Sequence, residues 1–124
     1  MKIEYAESPA NGSLIRLFDF SNDEVLELKD MLDKLVQGEI KSLPLHEHCH
    51  VNPDDNSHLT FVLGNTDQGI TRKDSEFICT LTPAGLSKMI EPVESFALHP
   101  VEFKGYEWLD ESSNISLVIS PSRI

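Results

Sequence analysis

The chain has 124 residues, 21 acidic and 10 basic, giving a formal net charge of -11, with 40% hydrophobic and 25% charged residues. That length suits one domain spanning residues 1–124, and that composition suits a packed core, so a disordered chain and a two-domain chain are both set aside. An excess of carboxylates repels nucleic-acid phosphates and anionic lipid alike, because both are held by Lys and Arg; neither nucleic acid nor membrane is expected as a partner.

The N-terminus, Met1-Lys2-Ile3-Glu4-Tyr5, lacks the apolar stretch of a secretory signal, and no apolar run is long enough to span a bilayer. A cytoplasmic location follows as the expectation, with Cys49 and Cys79 reduced.

In chain order, Lys2 to Ala6 reads as a first strand. Asn11-Gly12 is a turn signal, since both residues tolerate positive φ, and Ser13 to Phe20 reads as a second strand completing a hairpin. Ser21-Asn22-Asp23-Glu24 has the spacing of a capping box, in which Ser21 accepts from the N–H of Glu24 and the Glu24 carboxylate reaches back. Val25, Leu28, Leu32, Leu35 and Val36 then share one helical face, and Gly38 supplies a left-handed stop.

Glu39 to Leu45 reads as an extended connection, His46 to Val51 as a short strand or edge segment, and Asn52 to Ser57 as a turn. His58 to Leu63 alternates, with Leu59, Phe61 and Leu63 on one face. Gly64 to Ser75 is polar and reads as a loop or wide hairpin connection, and Glu76 to Leu81 alternates again through Phe77, Cys79 and Leu81. Thr82-Pro83 marks a second helix start, with Thr as N-cap and Pro at the first position; Pro92 is expected to end or kink that helix. Tyr106 and Trp108, then Ile115 to Ile119, read as two last strands. The fold class expected is α+β: a mostly antiparallel sheet of about six strands with two helices packed on one face.

The conspicuous cluster is His46-Glu47-His48-Cys49-His50. On an extended segment His46, His48 and His50 project to one side, and three imidazoles with His58 nearby make a ligand set for zinc. An open position on such an ion would support hydrolysis. The competing reading makes them solvent-facing histidines on an edge segment, since no second cluster stands at standard ligand spacing. Cys49 would face away from its neighbours in a strand, so a cysteine nucleophile is not expected, and it reads as a small buried residue. Asp54-Asp55, Asp110-Glu111 and Asp23-Glu24 lie in turns or a helix start, where acidic residues are ordinary. Gly64 to Gly69 lacks the Lys-Ser/Thr ending of a phosphate loop.

The succession Leu14 to Phe20, Leu45-His46-Glu47, Leu59 to Ile70 with its Asp67-x-Gly69 turn, and Tyr106-x-Trp108-Leu109 resembles small uncharacterised bacterial single-domain proteins over residues 13 to 109. The resemblance carries no activity to transfer, and His48 and His50 are not part of its pattern.

The expectation for function is a non-enzymatic accessory or protein-interaction module of the immunity or inhibitor type, binding a basic partner and needing no cofactor or catalytic residue. The alternative is a metal-binding protein or metal-dependent hydrolase using His46, His48, His50 and His58, with zinc as the ion.

Overall fold

A computed structural model of the chain describes residues 1–8, 12–18, 20–47, 52–53, 58–74, 76–98, 107–110 and 115–120. Strand β1 (Lys2–Ser8) pairs antiparallel with β2 (Gly12–Phe18), from Lys2 opposite Phe18 to Ser8 opposite Gly12. Gly12 has φ +77, a value that side chains rarely adopt, so the glycine of the Asn-Gly signal is the residue the hairpin needs there.

Helix α1 (Asn22–Val36) starts on the capping box read from the sequence: the Ser21 hydroxyl accepts from the Glu24 N–H at 3.2 Å, and the Ser21 N–H donates to the Glu24 carboxylate at 2.9 Å. Its apolar face of Val25, Leu28, Leu32 and Leu35 is buried, and Gly38 with φ +81 follows the last turn. Strand β3 (Ser42–Pro44) leads into a 3-10 turn at Leu45–Glu47. Next come β4 (Asn52–Pro53), β5 (His58–Leu63), β6 (Gly69–Lys73) and β7 (Glu76–Leu81). Helix α2 (Pro83–Leu98) and the hairpin of β8 (Glu107–Asp110) with β9 (Ile115–Ile119) complete the order.

The α+β class holds, but the single six-stranded sheet does not. The strands form two sheets, one ordered β4-β1-β2-β9-β8 and the other β3-β5-β7-β6. Among the described residues four pairings are antiparallel, β1–β2, β3–β5, β6–β7 and β8–β9, whereas β1–β4, β2–β9 and β5–β7 pair in parallel. The first sheet joins strands from both halves of the chain, and the second is built from its middle.

One continuous core links the layers. Ile3, Ile15, Leu17, Leu117 and Ile119 from the first sheet meet Leu59, Phe61, Phe77 and Cys79 from the second, with the apolar faces of both helices. The sheets touch where Tyr5 of β1 lies 4.9 Å from Phe77 of β7, ring to ring, and the Arg72 guanidinium covers Tyr5 at 4.7 Å. The helices pack on each other; Phe20, just before α1, meets Phe96 near the end of α2 edge to face. The start of α1 therefore lies beside the end of α2.

Four local expectations are corrected. Gly64 to Ser75 is not all loop, because Gly69–Lys73 forms edge strand β6 against β7. Asn52–Pro53 is a short strand beside β1 rather than a turn. Pro92 does not end its helix, which continues to Leu98 with Val93 and Phe96 buried beyond it. Leu45–Glu47 is a 3-10 turn, so His46 does not begin an extended segment.

Candidate functional site

The inner face of the second sheet carries Leu59, Phe61, Phe77, Cys79 and Leu81 into the core. Alternation then sends His58, Thr60, Glu76 and Ile78 to the outer face, where Glu76 and Ile78 are exposed. Ile78 keeps 41% of its surface accessible, unusual for a central-strand isoleucine.

Strand pairing sets the positions across that face. In the β3–β5 ladder Pro44 lies opposite Thr60, and two further steps of the same register would place His46 opposite His58. The chain leaves the strand at Leu45, yet the two imidazoles still meet, with centroids 4.2 Å apart and planes within 9° of parallel. The β5–β7 ladder puts Glu76 beside His58.

His46 Nδ1 lies 3.3 Å from the Leu59 carbonyl oxygen. A carbonyl only accepts, so Nδ1 carries the proton in this contact, which leaves Nε2 as the nitrogen that bears the lone pair in the neutral form of the ring. The stacked rings border a cleft of about 230 Å³. Pro44, Thr60 and Ile78 contribute to its wall, while Glu47 and Glu76 add carboxylates. Neither carboxylate has an ion pair or hydrogen bond among the described residues.

Of the four histidines singled out in the sequence, the structure brings His46 and His58 together; His48, His50 and Cys49 lie outside the described residues. Among the described residues, no group of three or more His, Cys, Asp and Glu side chains is placed to hold a metal ion. The parallel stack explains why two imidazoles alone do not form a ready chelate. Ring lone pairs lie in the ring planes, so those of parallel rings run side by side, whereas a shared zinc needs them to converge at roughly 2.0–2.1 Å.

Glu76 was missed as a site residue because only strand register brings it to His58, whereas Thr60 shares strand β5 and its outer face with His58. Glu47 had a signal in its place next to His46.

A second polar constellation is structural. The Asp67 carboxylate accepts from the Thr82 N–H at 2.8 Å and from the Thr82 hydroxyl at 2.9 Å. That hydroxyl in turn accepts from the Gly85 N–H at 3.1 Å, as expected of an N-cap. The Thr82 backbone and side-chain hydrogen bonds hold the Asp67 carboxyl below its ordinary range. A side chain at Gly85 would run into that carboxylate, so Gly85 here serves close approach.

No family model matches the chain, and neither a curated protein nor a solved structure matches it. No helix among the described residues is long and apolar enough to cross a membrane.

Proposed function

We propose that this chain is a non-enzymatic interaction module that binds a basic protein, in the manner of an immunity protein or inhibitor. The observation that carries this reading is the formal net charge of -11 on 124 residues. Such a field speeds the approach of a positively charged partner and repels acidic competitors, so charge sets encounter rate and selectivity. The carboxylates of Glu47 and Glu76, unpaired among the described residues, lie beside an accessible Ile78 and support it further, since they combine charge with apolar contact on one sheet face.

The test is to immobilise the chain and expose it to lysate at low and at raised salt. Basic proteins should be retained at low salt and released as ionic strength rises, because screening shortens the reach of the field. A column that retains no protein at low salt overturns the reading.

A second reading is favoured by one specific contact. His46 donates through Nδ1 to the Leu59 carbonyl, the arrangement that fixes the tautomer of metal-binding histidines and leaves Nε2 for the ion. In that reading His46 and His58 bind zinc after one ring rotates out of the stack, with His48 and His50 as the remaining ligands, and a metal-dependent hydrolase is its catalytic form. Metal content measured by mass spectrometry on untagged protein tests it. One equivalent of zinc, lost in His58→Ala, supports it; protein that stays empty when offered zinc in moderate excess rules it out.

A further inference from the structure

The cleft at His46 and His58 has a chemical bias that narrows what fills it. Glu47 and Glu76 contribute acceptors only, His46 offers the lone pair of Nε2, and Thr60 can play either role. The two carboxylates bring a formal charge of about -2. Beside these acceptors Pro44 and Ile78 supply apolar wall. A complementary group carries only donors, a positive charge and an aliphatic stem.

We propose that this cleft is a docking site for an arginine side chain of the partner. The proposal rests on the reading of the chain as a module for basic proteins, and it names where and by what chemistry such a protein is held. Lysine shares the charge and the stem, but its ammonium is a compact, strongly hydrated point. The guanidinium is planar, presents five donors in a fixed fork, and matches a carboxylate with two parallel hydrogen bonds. A planar cation also packs well against aromatic rings, and both His46 and His58 line this cleft. The Glu76 carboxylate, in register with His58 on the adjacent strand, is the partner for the fork. Methylenes of the arginine stem cover the exposed part of Ile78.

The experiment is an amide-resolved NMR titration of the full chain at low salt. The probes are an oligo-arginine peptide with blocked ends and an oligo-lysine peptide of equal length. Oligo-arginine is expected to shift amides around Glu47, Thr60, Glu76 and Ile78, and to bind more tightly than oligo-lysine. Glu76→Gln keeps the shape and removes the charge, and should weaken oligo-arginine about tenfold, the size of one lost charge-assisted hydrogen bond. His58→Ala should narrow the preference for arginine over lysine. Glu91→Gln, an exposed site on α2, serves as the control and should leave affinity nearly unchanged; circular dichroism checks that each variant folds.

If oligo-arginine binds with undiminished affinity after Glu76→Gln, the cleft proposal is overturned while the reading of a basic-partner module stands. Equal affinity for oligo-lysine overturns the choice of arginine. Failure of the native chain to bind either peptide overturns the cleft, whereas the module itself is judged by the lysate test.

Discussion

At Ser21 and Asp67 single side chains decide how a helix begins. Ser21→Ala removes the acceptor for the Glu24 N–H and is expected to cost about 1 kcal/mol of unfolding free energy in urea. Glu24 also meets the N-terminal ammonium of Met1. Burial pushes its carboxyl upward, but that ammonium, with the Ser21 N–H and hydroxyl, pulls it below the ordinary 4.5. Asp67 is likewise held below 3.8. A carboxyl whose folded value is depressed contributes stability that is fully present above its unfolded value and is lost as pH falls through the folded one. Thermal melts should therefore hold steady above about pH 5 and fall on acidification below the two ordinary values. Asp67→Asn should melt lower near neutral pH and show a shallower acid loss. An unchanged acid slope in that variant would remove Asp67 from the account.

Among the elements, those with a strong local period were legible and those set by neighbours were not. The capping box, the α1 stripe of Val25, Leu28, Leu32 and Leu35, and the alternation of β5 and β7 all appear as read. Strand β6 was hidden because Thr71, Arg72 and Lys73 are exposed on a sheet edge, leaving Ile70 as its one buried apolar side chain. Its pairing with β7 comes from the turn at Asp74, with φ +59, and not from its own hydrophobic pattern. The histidine pair was half legible: composition marked His46 and His58, but register supplied their contact and the place of Glu76. Pro92 shows packing overriding propensity. It cannot donate to the Lys88 carbonyl, yet Val93 and Phe96 bury beyond it and hold the last turns in place. Pro92→Ala restores that donor and is expected to raise stability by about 1–3 kcal/mol in a urea unfolding curve. A loss of stability instead would mean that the ring's packing outweighs the missing hydrogen bond.

For the whole molecule, the arrangement of the first sheet sets cooperativity. Leu117 and Ile119 of β9 sit in the same core as Ile15 and Leu17 of β2, and β9 alone joins β8 to that sheet. Leu117→Ala is expected to cost about 2–5 kcal/mol, with both helices and both sheets lost in one transition. Coincident curves from far-ultraviolet circular dichroism and Trp108 fluorescence would show this, and separated curves would indicate that the second sheet holds independently. The pairing of β2 with β9 also spans most of the sequence, so loop closure must precede its reward, and refolding is expected in roughly milliseconds to seconds rather than microseconds.

That same strand order has a consequence for a chain made from one end to the other. While a ribosome extends the protein, β1 and β2 can zip together early, but the second side of β2 lacks its partner until β9, the last of the described strands, emerges. Strand β5 waits in a similar way for β7, which enters between it and β6. Half-made molecules thus display bare strand edges, the surfaces on which neighbouring nascent chains stick. Of the 21 acidic residues, many are already translated by then, and their mutual repulsion keeps unfinished copies apart until the sheet closes. The charge proposed to steer a finished molecule to a basic partner also guards an unfinished one from itself.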